Sequence, residues 1–235
     1  MASVAFNHDG SILASSLFGD TIILWNLSDP QNPTRLAPPL TERRSWVRSV
    51  AFNHNGSILA SGSWGGTIIL WDLSDPQNPT RLAPPLTENG DDVRSVAFNH
   101  NGSILASGSS DNTIILWDLS NPQNPTRLAP PLTEHSDSVT SVAFNHDSSI
   151  LASGSVDGTI ILWDLDVESL RDKTCRIAGY VTEEKWSEYF GSDQPYEHPC
   201  PQFPNSQRSL VDSVLVDNVL DTLQAWLPRW LLLED

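Results

Sequence analysis

Short apolar runs alternate with polar turns along the first 165 residues of the chain, and the whole pattern repeats. Two aromatic residue types return at a constant spacing of 46 residues, namely Trp25, Trp71, Trp117 and Trp163, and Phe6, Phe52, Phe98 and Phe144. The common unit reads S-V-A-F-N-H-x-x-S-I-L-A-S-x-x-x-x-x-T-I-I-L-W-x-L, and it occurs four times between Ser3 and Leu165. A period of this length predicts a repeat architecture with one small structural motif per unit.

Each unit predicts four strands. In the second copy, β-branched and apolar runs at 47–53, 57–63 and 67–73 are separated by polar turns such as His54-Asn55-Gly56. A fourth extended run, 79–84, has proline at both ends, which suits an edge strand because proline cannot donate to a ladder. Four antiparallel strands per repeated unit, with the last at an edge, predict the blades of a β-propeller.

The residues that end the third strand of each copy point to a family. The dipeptide Trp-Asp stands there in three copies and Trp-Asn in the other, at Trp71-Asp72, Trp117-Asp118, Trp163-Asp164 and Trp25-Asn26. With these dipeptides, and with the stretch LASGSVDGTI at 151–160, the chain resembles the WD40-repeat β-propeller family. The resemblance implies an all-β fold, a WD40-type propeller with four repeats of four-stranded antiparallel blades.

The resemblance also implies a stabilising hydrogen-bond network in each blade. It links a His before the first strand, a Ser or Thr on the second strand, an Asp in the next turn, and the Trp. The positions that match in the last two copies are His135, Ser155, Asp157 and Trp163, and Ser109, Asp111 and Trp117. Other residue types take some of these places, namely Asn89 for His in the third copy, Arg43 and Gly65 for His and Asp in the second, and Leu17 and Gly19 for Ser and Asp in the first. We therefore expect the fourth blade to be tied together most rigidly.

The residues after the fourth repeat predict a short α-helical tail, including an amphipathic helix over 209–227. This tail is similar to one that closes the WD-repeat sensor half of large bacterial signalling NTPases. The predicted domains are four repeats at 1–165, a helical and proline-rich tail at 166–204, and an amphipathic C-terminal helix at 205–235. For that last helix, packing on the propeller, contact with another chain and attachment to a membrane surface stay open.

The number of repeats bears on assembly. Four blades is the low end of the propeller range, and the chain starts just before the first strand of its first copy. No strand pattern fills the outer-strand position of the fourth copy at 166–172, so we expect an incomplete last blade with an open edge. Closure of four blades alone, an eight-blade ring shared by two chains, and a fragment of a longer parent stay open. We favour assembly between chains, that is, a homo-oligomer.

The four copies diverge in two short windows, the link into the first strand and the turn between the second and third strands. In an up-and-down blade both connections emerge at the same end of the strands, so both windows should lie on one loop face. Binding residues typically lie on loops held by a rigid framework, and Trp and Arg often anchor protein interfaces. The predicted partner-binding residues are Phe18, Arg43, Arg44, Trp46, Trp64, Asp91 and Asp92. The alternative is loop drift without function.

Composition narrows the classes of function. The formal net charge is -16, from 29 acidic and 13 basic residues, which disfavours binding to nucleic acid and to anionic membranes. Two cysteines do not form a disulfide scaffold. The first residues lack a signal-peptide pattern, and no apolar stretch reaches the length of about 18 residues that a membrane span needs. We therefore expect a cytoplasmic protein without a membrane span.

Motifs for catalysis or for a bound cofactor are not found. The sequence contains no G-x-x-x-x-G-K-[ST] loop and no G-x-S-x-G turn. One equivalent turn per blade holds a histidine, namely His8, His54, His100 and His146. Because equivalent turns are spread around a ring, we expect these side chains to lie too far apart for one metal ion and to fill turns. The sequence thus predicts a non-enzymatic protein–protein interaction scaffold or sensor without cofactor. The alternative is a self-assembling module in which chains share one propeller ring.

Overall fold

The computed structural model of the protein describes residues 3–16, 19–41 and 46–166. The chain divides into two units, Met1–Trp163 and Asp164–Asp235, and the described residues belong almost wholly to the first. The predicted tail helices, from residue 167 onward, lie outside the described residues.

The described residues form four antiparallel sheets, one for each repeat. The first sheet contains β1 (Ser3–Phe6), β2 (Ile12–Ser16), β3 (Thr21–Asn26), β4 (Thr34–Arg35) and β5 (Leu40–Thr41). The second contains β6 (Val47–Phe52), β7 (Ile58–Ser63), β8 (Ile68–Asp72) and β9 (Thr80–Arg81). The third contains β10 (Val93–Phe98), β11 (Ile104–Ser109), β12 (Ile114–Asp118) and β13 (Thr126–Arg127). The fourth contains β14 (Val139–Phe144), β15 (Ile150–Ser155) and β16 (Ile160–Asp164).

The first three strands of each sheet, and the fourth where it is present, pair in the order of the sequence, so every sheet is an up-and-down blade; in the first sheet β5 also pairs with β3. The short outer strands β4, β9 and β13 carry only two residues each and pair with the third strand alone, as the flanking prolines require. The prediction of all-β propeller blades is confirmed. The fourth blade shows three strands within the described residues, and most of the stretch in which an outer strand would follow lies outside them.

Side chains close the turn between the first two strands of each blade. In the second blade, Asn53 Oδ1 accepts a hydrogen bond from Ile58 N at 2.9 Å, and Asn55 Oδ1 accepts one from Ser57 N at 3.0 Å. Gly56 takes a φ of 72° there, and Ser148 takes the equivalent position in the fourth blade with a φ of 65°. The Asn-His-x-Gly segment of the first three copies, with Ser148 in place of Gly in the fourth, therefore keeps one turn geometry in all four blades.

Apolar side chains fill the space between neighbouring blades. In the second and third blades the Trp belongs to the same buried cluster as third-strand residues of the preceding blade: Trp71 shares a cluster with Ile22 and Leu24, and Trp117 shares one with Ile68. Ile22 and Ile68 are fully buried. The core of the protein thus lies in the interfaces between blades, where each blade is covered by the next.

A polar contact joins the first strands of neighbouring blades at the same point each time. A serine hydroxyl oxygen accepts a hydrogen bond from a valine N–H of the following blade at 3.1–3.2 Å, in the pairs Ser3 and Val50, Ser49 and Val96, and Ser95 and Val142. The interface between blades is therefore built three times from the same residue types.

Candidate functional site

The structure brings the two variable windows of each blade side by side. In the second blade Trp64 N donates a hydrogen bond to Trp46 O at 2.8 Å. The same contact recurs in the third and fourth blades, where Ser110 N and Val156 N donate to carbonyl oxygens of the preceding link at 2.9 Å. The windows therefore form one continuous loop surface, which we call the loop face.

Two tryptophans dominate the described part of the loop face. The Trp46 and Trp64 rings pack edge to face, with their centroids 5.1 Å apart and their planes at 74°. This geometry is favourable for aromatic pairs. Trp46 remains 50% exposed and Trp64 48% exposed.

Arg48 completes this cluster, and the comparison of the repeats missed it. Its guanidinium carbon lies 5.7 Å from the centre of the Trp64 ring, within the range of a cation–π contact. The register of β6 shifts between Val47 and Ser49, so the simple alternation of a strand does not predict the side on which Arg48 lies. We call Trp46, Arg48 and Trp64 the aromatic cluster.

Asp92 is buried and ties two blades together. Its Oδ1 accepts a hydrogen bond from Gly65 N of the second blade at 3.0 Å, and its Oδ2 lies 3.5 Å from Arg48 Nη2. Asp92 is 7% exposed, so a buried carboxylate contacts the aromatic cluster at Arg48. The neighbouring Asp91 is exposed and accepts a hydrogen bond from Asp92 N at 2.7 Å. Of the two predicted acidic contact residues, only Asp91 is open to a partner.

Three further residues that were predicted for the loop face, Phe18, Arg43 and Arg44, lie outside the described residues. Their part in a binding surface stays a prediction. The described residues reduce the candidate site to the aromatic cluster with Asp91 beside it.

The predicted hydrogen-bond network is present in the fourth blade, but through a different serine. Trp163 Nε1 donates to Ser153 Oγ at 2.8 Å, and His135 Nε2 lies 2.8 Å from the same oxygen. The prediction of Ser155 was therefore wrong. Ser155 lies two positions further along β15, on the same side of the strand but away from the indole, and its hydroxyl donates to Asp137 O instead.

The proton positions of this network follow from its partners. Asp157 Oδ2 lies 3.0 Å from His135 Nδ1, and a carboxylate only accepts, so Nδ1 carries the proton. In the neutral ring Nε2 then accepts from the Ser153 hydroxyl. The Thr159 hydroxyl, together with the Thr159 and Ser136 N–H groups and His135, holds the pKa of Asp157 well below its usual range. The network is thus a directed chain of hydrogen bonds that fixes the loop face of this blade.

The same serine correction holds in the other blades. The indole N–H of each repeat Trp donates to the serine of Leu-Ala-Ser at 2.9–3.0 Å, in the pairs Trp25 and Ser15, Trp71 and Ser61, and Trp117 and Ser107. Ser109, which was predicted for the third blade, instead donates to Asp91 O. Asn89 takes the His place and exchanges hydrogen bonds with Ser107 at 3.4 Å, and Asp111 Oδ2 accepts from Gly90 N at 2.6 Å.

The four turn histidines lie next to one another, contrary to expectation. Successive ring centroids of His8, His54, His100 and His146 are 4.1, 4.5 and 4.4 Å apart. The turns follow the innermost strands, where neighbouring blades approach most closely, so spreading around a ring does not separate them. Partial desolvation and the charges of the other three rings lower the pKa of His54. Within the described ranges, no group of three or more His, Cys, Asp or Glu side chains is placed to hold a metal ion.

Comparison with known proteins identifies the repeats. Residues 38–72, 83–118 and 127–164 match the family model WD40, described as WD domain, G-beta repeat. The second, third and fourth blades are therefore similar to WD40 repeats, and the first blade repeats their sequence and strand order. No curated protein matches the chain. In the part of the chain that the structure describes, no helix has the length and apolarity needed to cross a membrane.

Proposed function

We propose, from the three WD40 repeats that this chain carries, that it is a non-enzymatic module that binds a protein partner through the aromatic cluster of its loop face. WD40 repeats generally mediate protein–protein interaction. The observation that carries the proposal for this surface is the exposure of the paired rings of Trp46 and Trp64 beside the cation of Arg48.

The exposure of these two rings contrasts with the tryptophans of the scaffold. Trp71, Trp117 and Trp163 are 5%, 1% and 6% exposed. Trp46 and Trp64 contact each other edge to face and stay about half exposed. Large aromatic side chains that cluster on the surface of a rigid scaffold are typical of the centre of a protein interface.

The charge beside the rings indicates the chemistry of the partner. Arg48 has a single ion pair in the described part of the chain, a long one of 3.5 Å to Asp92, and its Nε is buried without a hydrogen-bond partner there. The Arg48 side chain is 37% exposed, so an acceptor on a partner can reach its terminal nitrogens. A partner segment with an apolar anchor next to a carboxylate would fill the space over the rings and pair with Arg48.

We place this module in the cytoplasm of a bacterium, as the sensor or scaffold of a signalling system whose catalytic part lies elsewhere. The similarity of the tail sequence to that of WD-repeat signalling NTPases supports this context. The low fraction of lysine, with Lys173 and Lys185 the only two in the chain, supports a protein partner over nucleic acid.

A displayed library of random peptides, selected on the immobilised full chain, tests the binding surface. Enriched peptides are expected to carry an aromatic or aliphatic residue next to Asp or Glu. They should bind the Trp46→Ala, Trp64→Ala double variant at least about 30-fold more weakly, since a hot-spot Trp contributes roughly 2 kcal/mol or more.

Val156→Ala is the matched control, because Val156 occupies the Trp64 position in the fourth blade and is 57% exposed. This variant should bind the selected peptides as the wild type does. Circular dichroism and thermal melting check that the double variant stays folded. Peptides that bind the folded double variant with unchanged affinity would show that the aromatic cluster is not the binding surface.

A further inference from the structure

The last blade leaves uncovered the surface that every other blade buries. Ile68 and Ile114, on the third strands of the second and third blades, are 0% exposed, whereas the equivalent Ile160 is 77% exposed. Leu162 is 67% exposed on the same side of the strand. We call the outward surface of the fourth blade, formed by Ile160, Leu162 and Gly154, the trailing face.

The first blade leaves the complementary surface uncovered. Val50, Val96 and Val142, on the first strands of the later blades, are only 5–6% exposed because the preceding blade covers them. The equivalent Val4 is 48% exposed, and Phe6 on the same strand is 61% exposed. We call the surface formed by Val4 and Phe6 the leading face.

The contacts between neighbouring blades of the chain show how a trailing face packs against a leading face. Gly62 leaves room for the next blade, since a β-carbon built on it would lie 2.5 Å from Val93 Cγ1 and 3.0 Å from Val96 Cγ1. Gly108 leaves the same room for the valines of the fourth blade. At Gly154 the built β-carbon has no neighbour within 4 Å, so this space is open.

The fourth blade and the first blade also carry one half each of the serine–valine contact that joins neighbouring blades. Ser49 and Ser95 each accept a hydrogen bond from a valine N–H of the following blade. The equivalent Ser141 hydroxyl has no such partner among the described residues, and the equivalent donor in the first blade is Val4 N. Each face therefore holds the half of the interface that the other face lacks.

We propose that the trailing face of one chain binds the leading face of a second copy of the same chain, and that two copies close into one eight-blade ring. The interface would be the fourth instance of one that the chain already builds three times, from the same residue types. A head-to-tail contact of this kind closes into a ring when its rotation allows, and eight blades lie within the range of propellers. The proposal goes beyond the loop face and does not depend on it.

Molar mass by light scattering during size exclusion tests the proposal on the full chain at micromolar concentration. The expected mass is twice the single-chain value of 25.9 kDa. Two variants should run at the single-chain mass, one with Ile160→Glu and Leu162→Glu in the trailing face, and one with Val4→Glu in the leading face. Their folds should persist because all three side chains are largely exposed in the single chain.

An equimolar mixture of the two variants decides whether the contact is head to tail. Each variant keeps one intact face, so the mixture should form one intact interface and recover the two-chain mass. Val156→Glu, at an exposed position outside both faces, is the control and should keep the wild-type mass. The Trp46→Ala, Trp64→Ala variant should also keep it, which separates a failure of this proposal from a failure of the proposed loop face.

Three results would overturn the proposal. A single-chain mass for the wild type would assign the two faces to another occupant, such as residues 167–235 or a different protein. A two-chain mass for both face variants would place the contact elsewhere. A mixture that stays at the single-chain mass would exclude pairing of a trailing face with a leading face.

Discussion

The serine that joins His135 and Trp163 provides the sharpest test of the packing described above. Ser153 is 2% exposed, accepts from Trp163 Nε1 at 2.8 Å and contacts His135 Nε2 at 2.8 Å. Ser153→Ala would leave a buried donor and a buried acceptor without partners. Each such group costs about 1–3 kcal/mol, so we expect a loss of roughly 2–4 kcal/mol.

Ser155→Ala is the matched comparison on the same strand. It removes a hydrogen bond to Asp137 O at 2.8 Å and one from Asp157 N at 3.1 Å, both in partly exposed loops where water can replace them. We expect a loss of only about 0.5–1.5 kcal/mol from this change. Identical chemistry two residues apart should therefore give clearly different losses of stability.

Hydrogen exchange of peptides from the fourth blade, read by mass spectrometry, measures both losses locally. A local readout is preferable because repeat proteins need not unfold as one unit. Thermal melting should agree, with a drop of roughly 5–15 °C for Ser153→Ala at about 2–4 °C per kcal/mol. Equal losses for the two variants, or a larger loss for Ser155→Ala, would refute the assignment of Ser153 to the network.

Three further predictions concern backbone packing and pH. Gly62→Ala should destabilise dilute single chains by about 1–3 kcal/mol in urea unfolding, because the new methyl group meets Val93. Gly154→Ala should be close to neutral. Equal urea midpoints for the two variants would contradict this prediction. Because the pKa of His54 is lowered in the folded protein, the unfolded chain takes up this proton at a higher pH, so the melting temperature should fall as the pH drops below about 6.5. If the melting temperature of a His54→Gln variant fell as steeply with pH as that of the wild type, the row of rings around His54 would not cause this dependence. Because the pKa of Asp157 is lowered in the folded protein, its contribution to stability is complete above about pH 4 and is lost in stronger acid. Asp157→Asn should therefore weaken the acid dependence of hydrogen exchange in the fourth blade. An acid dependence identical to that of the wild type would exclude this contribution of Asp157.

The loop face shows how far comparison of the repeats can reach. Trp46 and Trp64 could be predicted to lie together, because both variable windows leave the strands at the same end. Arg48 was not found in this way, since it lies two residues beyond Trp46, where the variable link window ends. Asp92 was selected correctly as a variable position, but its burial depends on Gly65 of the neighbouring blade.

The sequence by itself determined the strands, the turns and the blade, because these depend on neighbours along the chain. The period of 46 residues, the alternating apolar runs and the Asn-His-x-Gly turns were sufficient, and the strands of the second repeat begin and end close to the predicted positions. Proline at both ends of the outer run was enough to predict an edge strand. Each of these features acts within one repeat.

Only the tertiary structure decided which of these identical residues are buried. Ile114 and Ile160 stand in the same T-I-I-L-W-D-L segment, yet one is 0% and the other 77% exposed. The contacts of the His54 ring with the rings of His8 and His100 likewise depend on blades that are 46 residues apart in sequence. A side chain is buried only when a second surface covers it. In a repeat protein that second surface belongs to the neighbouring blade, so the sequence of a single repeat does not determine the burial of its residues.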